Sequence, residues 1–164
     1  MASLTRIWWN SKEPIYNISQ SELYSQGIKC LILDVDGTLL NRKTREIPNK
    51  VKHWIIKSKE YFSLYLLSNN PSETRISRIG KELGVDYKYK ALKPSKKNTL
   101  GIINSLNEDN KKIAIVGDRI LTDIIVGNRC NIHTILVKKL NKEGVPIKIN
   151  LTLLVEKLIS FCIF

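Results

Sequence analysis

Cysteine is scarce in this chain of 164 residues, and the three present, Cys30, Cys130 and Cys162, form no C-x-x-C pair. An odd, scattered set argues against a disulfide framework and offers no zinc-ligand spacing; it suits a reducing cytoplasm. Histidine is scarcer still. His53 and His133 stand at no metal-ligand spacing from another His, Cys or acid, so both are expected to be structural. Long apolar runs are also missing. Residues 1–20 lack the continuous apolar core of a secretory leader. The longest candidate, Leu151 to Phe164, is interrupted by Glu156 and Lys157 and falls short of the ~20 residues that span a bilayer. No repeat, low-complexity segment or Pro/Gly/Ser-rich linker divides the chain, so one domain over residues 1–164 is expected. Acids are the minority charge: 15 Asp and Glu face 27 Lys and Arg, a net charge of +12. Such an excess attracts polyanions, whether phospholipid surfaces or nucleic acid. A composition rich in Lys, Asn and Ile produces it equally well without any partner.

What is present is an alternation. Apolar runs at 29–33, 63–67, 111–116 and 132–137 read as strands, with a weaker one at 87–89. Between them, 49–60, 72–83, 96–106 and 122–128 read as helices, with Val51, Trp54, Ile55 and Ser58 on one face of the first. Ser72 and Ser95 are expected as N-caps and Gly84 as a C-cap, while Pro48 and Pro71 precede helices where proline costs little. This β-α-β order predicts an α/β fold: a parallel sheet covered by helices on both faces. In such folds ligands bind beyond the carboxyl ends of the strands.

Those ends carry the polar residues. The first strand runs into Asp34-Val35-Asp36-Gly37-Thr38, the second into Ser68-Asn69-Asn70; Lys93-Pro94 follows the third, and Gly117-Asp118 ends the fourth. Paired acids where a buried strand ends need a reason, because unpaired buried charge is costly. Chemistry supplies one. Asp34 as nucleophile would give an aspartyl-phosphate, and Asp36 would first protonate the leaving alkoxide and then deprotonate the attacking water. Asp118 with Asp34 and a backbone carbonyl would hold Mg²⁺ through hard oxygen ligands, Asp36 belongs to the same acidic set, and Asp123 would complete the metal's surroundings. Lys93 would neutralise the phosphoryl oxygens. Ser68 would hydrogen-bond one of them beside the backbone N–H of Asn69, and Thr38 would support the phosphate-binding turn.

These four motifs, in this order and on these elements, resemble the haloacid-dehalogenase (HAD) superfamily of phosphohydrolases over roughly Ile28 to Val137. The resemblance implies a Rossmann-like three-layer sandwich and Mg²⁺ dependence. Gly27-Ile28-Lys29, Leu67-Ser68-Asn69-Asn70, Lys90-Ala91-Leu92-Lys93-Pro94, Gly127-Asn128-Arg129 and His133-Thr134-Ile135-Leu136-Val137 are similar to the YqeG-type branch of subfamily IIIA. That branch is similar to the mitochondrial-type phosphatidylglycerophosphatases, which remove the terminal phosphate of phosphatidylglycerophosphate. Where the branch often carries Gln, this chain has Arg119, a cation beside Asp118.

Spacing carries its own argument. Only 33 residues separate Asp34 from Ser68 and 24 separate Ser68 from Lys93, which leaves no room for a cap domain. The site is therefore expected to be capless and open, with residues 38–48 forming at most a small flap. Arg42, Lys43, Arg45, Lys90, Lys96, Lys97, Arg119, Lys138, Lys139 and Lys142 fall in loops at the same edge, a basic rim suited to an anionic substrate or an anionic membrane surface. Trp8-Trp9 beside Arg6 and Lys12 suits either a bilayer interface or packing on the sheet, and the terminal apolar segment is expected to pack. The expected activity is a phosphomonoesterase acting on phosphatidylglycerophosphate from the cytoplasmic membrane surface. A soluble nucleotide or sugar phosphate is the alternative substrate. A nucleic-acid-binding role is disfavoured by the intact acid and lysine set and by the lack of aromatics along a basic stripe.

Overall fold

The computed structural model describes residues 3–148, 154–156, 158 and 159. Six parallel strands form one sheet in the order β1-β6-β5-β2-β3-β4. They are β1 (Trp9–Asn10), β2 (Cys30–Leu33), β3 (Ser63–Leu67), β4 (Asp86–Lys88), β5 (Ile113–Gly117) and β6 (His133–Leu136). The helices are α1 (Gln20–Ser25), α2 (Asn49–Ser58), α3 (Glu73–Leu83), α4 (Lys96–Leu106) and α5 (Ile125–Arg129). The chain builds the sheet outward from β2 through β3 to β4, then returns to the other side of β2 with β5 and β6. The reversal of strand order between β2 and β5 is where open α/β sheets open a crevice.

Side-chain alternation along a strand explains the layers. In β2, Leu31 and Leu33 pack with Val51, Trp54 and Ile55 of α2 and Ile76 and Ile79 of α3. Cys30 and Ile32 point the other way, toward Ile102 and Ile103 of α4 and Val126 of α5. Both faces are fully covered, which is why β2 and β5 read as continuous apolar runs without a polar face. The result is the Rossmann-like three-layer sandwich expected from the sequence. Between β2 and α2 there is only a tight turn, closed by Gly37 N–H donating to Leu40 O (2.7 Å), and a short flap over residues 41–44.

Several local expectations shift. Ser72 caps α3 by accepting from the Arg75 N–H, and Gly84 ends that helix in the left-handed region. Ser95 sits at the start of α4, but its side chain makes no capping bond. The helix expected from Thr122 begins instead with a wide π-helical turn, Ile120–Ile124. β1, too short to show alternation, was not foreseen. It settles the environment of the tryptophans: Trp9 pairs with Ile135, and Trp8 stacks on His133 with ring centroids 4.3 Å apart. Both half-buried rings pack at the sheet edge rather than standing free. His133 also bonds the Lys111 carbonyl (3.0 Å), a structural role. Of the terminal segment, Leu154–Glu156, Leu158 and Ile159 are helical, and Phe161, Ile163 and Phe164 lie outside the described residues. No helix among the described residues is long and apolar enough to cross a membrane.

A sheet buried on both faces makes neighbouring positions of β2 equally costly to truncate. Leu31→Ala and Ile32→Ala should each lower the unfolding free energy by about 2–5 kcal/mol in urea titrations. A small loss for either would contradict a three-layer core.

Candidate active site

Register brings the strand ends together. Leu33 of β2 lies opposite Leu66 of β3 on one side and Val116 of β5 on the other, so Asp34, Ser68 and Asp118 emerge at one edge. Two glycines make the close approach possible. A Cβ on Gly117 would lie 2.3 Å from the Asp123 carboxylate, and one on Gly37, whose φ is +104°, would lie 2.7 Å from Asp118 Oδ2. The tight backbone at Gly37 thus serves the packing of carboxylates.

Lys93 is the hub. Its ammonium, nearly inaccessible, donates to Asp34 Oδ1 (2.7 Å), Asp123 Oδ1 (2.6 Å) and the Leu67 carbonyl (2.9 Å), which uses all three of its donors. The loop carrying it is sewn to the end of β3. Ala91 N–H donates to Ser68 O (2.9 Å), Lys93 N–H to Asn69 Oδ1 (2.7 Å), and Asn69 Nδ2 to Lys93 O (2.8 Å). Asn69, whose backbone N–H is expected to serve phosphate, lines the cleft, and its side chain is a strut between two loops. Ser68 is buried and its hydroxyl accepts from the Asn70 N–H (3.1 Å). Thr38 differs from expectation as well. It is fully buried beneath the acids, donating to Asp34 Oδ2 (3.0 Å) with Asp118 Oδ1 at 3.4 Å, so its hydroxyl orients carboxylates and does not face the cleft.

Asp34, Asp118 and Asp123 each bring a carboxylate oxygen within 4.8 Å of the others, and all three are buried. Asp118 Oδ2 finds no hydrogen-bond partner among the described residues. Burial is the main cause that pushes the Asp34 carboxyl up to about 6, with Lys93 opposing and Asp123 adding. Burial likewise raises Asp118 well above the carboxylate range, reinforced by Asp34 and Asp123 and offset in part by Lys139 and Lys93. Lys93 is depressed by burial but raised more by Asp123 and Asp34, and stays charged. Three buried carboxylates against one ammonium, with one oxygen unsatisfied, is a donor set that fits a hard divalent cation.

Asp36 stands apart from this cluster. Its Oδ1 accepts from Arg75 Nη2 (2.9 Å) and Nε (3.2 Å), and its Oδ2 from Asn70 Nδ2 (2.6 Å). Asp36, expected among the metal residues, brings no side-chain oxygen to this cluster: a guanidinium and an amide already grip both of its oxygens. Arg75 was missed by sequence reasoning. The available signal was a cation in the first turn of a helix, where the dipole disfavours it unless an acid faces it. Glu156 was missed too. Buried from the terminal segment, it accepts from Arg119 Nε and the Ile120 N–H (both 2.8 Å), steadying the turn after Asp118.

Above these groups lies an open cleft of about 370 Å³. Asp34, Asp36, Ser68 and Lys93 line it, and Arg42, Lys43, Arg119 and Lys139 ring it. Of the four rim cations only Arg119 has an ion-pair partner among the described residues.

Comparison with known proteins agrees with this geometry. The family model described as mitochondrial PGP phosphatase matches residues 3–141. The chain is similar to the probable phosphatase YqeG of Bacillus subtilis (strain 168), with 29% identity over 123 residues, 75% of this chain and 72% of that one. Among solved structures, an uncharacterised protein from Listeria monocytogenes serotype 4b superposes with a TM-score of 0.57 at 22% identity, covering 77% of this chain and 86% of that one. The cobalt-bound deoxy-D-mannose-octulosonate 8-phosphate phosphatase of Haemophilus influenzae does so with a TM-score of 0.51 at 18% identity, covering 68% and 69%. These two share the fold. With four motif loops meeting at one sheet edge and a family match across most of its length, this chain belongs to the mitochondrial PGP phosphatase family.

Proposed function

We propose that the chain dephosphorylates phosphatidylglycerophosphate through an aspartyl-phosphate on Asp34, with Mg²⁺ as the cation. One observation supports the chemistry most: Lys93 is shared between Asp34 and Asp123 while Asp118 keeps a buried oxygen without a donor. Asp34 and Asp118 would hold the cation, with Asp123 behind them. Bound there, it would relieve carboxylate repulsion and stabilise charge on the phosphoryl oxygens.

The residues then divide the work. An Asp34 oxygen bonds phosphorus as the ester P–O bond breaks, and Asp36, entering the step in its protonated form, gives that proton to the departing alkoxide. Once esterified, Asp34 is no longer an anion, and the Lys93 N–H it held is released toward the phosphoryl oxygens. Ser68 orients another of these oxygens. Water then attacks phosphorus while Asp36 takes its proton, and inorganic phosphate leaves with the Asp34 carboxylate restored.

The lipid substrate draws on the family match and on the cleft. No cap covers the site among the described residues, and Arg42, Lys43 and Lys139 offer charge beyond that needed for one phosphoryl group. Such a rim favours a substrate with further negative charge, presented at an anionic membrane surface.

Two experiments test this. Purified protein with Mg²⁺ should release phosphate from phosphatidylglycerophosphate in mixed micelles faster than from sugar or nucleotide monophosphates, and Asp34→Asn should lower kcat by about 10³–10⁶-fold. A wide preference for soluble esters would remove the lipid, and near-wild-type turnover by the variant would remove Asp34 as nucleophile. Separately, Mg²⁺ at 100 times its Kd should stabilise the wild type by about 2.7 kcal/mol, read as a rise in Tm. Asp118→Asn should lose most of that rise; an equal rise would argue against the carboxylate cluster as the metal site.

A further inference from the structure

The Arg75 side chain does more than neutralise Asp36. Its guanidinium, only 15% exposed, makes four contacts in one plane of donors. Nε and Nη2 hold Asp36 Oδ1, Nη2 also donates to the Asn41 carbonyl (3.1 Å), and Nη1 donates to the Thr44 carbonyl (2.6 Å). One cation on the first turn of α3 thus ties the end of β2 to both ends of the flap that carries Arg42 and Lys43 over the cleft. The remaining oxygen of Asp36 is fixed from the same side of the sheet. Asn70, which donates to it, accepts from the Ser72 N–H (2.9 Å) at the α3 cap and donates its own N–H to Ser68 (3.1 Å).

A carboxyl group that must deliver a proton to a leaving oxygen works only from one rotamer, because displacement by about 1 Å can cost 10²-fold in rate. Asp36 lies on a loop, partly exposed, and nothing in its own backbone fixes its side chain. We infer that Arg75 is the positioning residue for the reaction: it sets the Asp36 carboxylate at the leaving-group position and, through the same fork, fixes the cationic flap, so that proton transfer and recognition of the rest of the substrate share one support. Lysine cannot replace it. An ammonium donates from a single point and cannot span a carboxylate and two separated carbonyls.

This inference rests on the role given to Asp36 above, and leaving-group dependence separates the two. An aryl phosphate such as p-nitrophenyl phosphate departs without a proton; an alkyl phosphate such as glycerol 3-phosphate does not. kcat/KM covers the steps up to transfer onto Asp34 and so reports the leaving group. Asp36→Asn should lose at least tenfold more kcat/KM on the alkyl than on the aryl ester. Arg75→Ala should show the same selectivity, Arg75→Lys should recover little of it, and the double variant should be no more selective between the two esters than Asp36→Asn alone. Added guanidinium should restore part of the alkyl activity of Arg75→Ala. Equal losses of Arg75→Ala on both esters, or losses that multiply with those of Asp36→Asn, would overturn the positioning role. If Arg75→Ala does not fold, Arg75→Gln carries the same comparison. An Asp36→Asn variant without leaving-group selectivity would overturn both this inference and the reading of Asp36 beneath it.

Discussion

The site depends on a buried ammonium that is outnumbered. Lys93 Nζ sits between Asp34 and Asp123, and Asp118 completes the acidic cluster with no cation of its own within hydrogen-bond reach among the described residues. Removing charge from water is expensive, and attraction between buried partners offsets that cost only when every group is matched. Here the protein matches all but one. Lys93 is saturated, Asp34 is bonded on both oxygens, and Asp123 joins Lys93 to the Arg119 N–H (3.2 Å). The mismatch is confined to Asp118, which places the demand for a further positive charge at one point beside Asp34.

The surrounding fold follows from keeping that cluster dry below and open above. A sheet buried on both faces supplies the floor, and parallel strands in matched register deliver Asp34, Ser68 and Asp118 to the same edge. Glycine at 37 and 117 lets the carboxylates approach the backbone to distances no side chain allows. Among the described residues the upper boundary is polar and carries only the short flap. The flap is short and held in place by hydrogen bonds, including Leu140 N–H to Gly37 O (2.8 Å) and Asn41 Nδ2 to Leu140 O (3.2 Å). Selectivity in such a site falls to the charges at its mouth rather than to an enclosing lid.

Much of this was legible in the sequence, for identifiable reasons. Strand ends followed by acids, Ser or Lys stand out because polar groups interrupt apolar runs, and the spacing of Asp34, Ser68 and Lys93 excludes an inserted cap. Other parts were hidden. β1 is two residues long, so Trp8-Trp9 shows no alternation, and only pairing with β6 reveals its place. The turn at Ile120–Ile124 is wider than an α-helix because the Asp123 carboxylate reaches back to the Arg119 N–H, a contact that periodicity does not encode. Thr38 and Asn69 were placed at the site, but the bonds by which their side chains orient Asp34 and brace the Lys93 loop are not encoded in motif spacing. Arg75 escaped notice because two of its acceptors are flap carbonyls, which any residue can supply.

The central claim is that phosphorus is transferred to Asp34 before water takes it. Acid-quenching Asp36→Asn during turnover of p-nitrophenyl phosphate, whose leaving group needs no proton so that only the attacking water lacks its partner, and mapping the modified peptide by mass spectrometry tests this directly. A phosphoryl group on Asp34, removed by hydroxylamine as an acyl phosphate should be, is the predicted result. A phosphoryl group on another residue, or steady turnover with none trapped, would contradict the account.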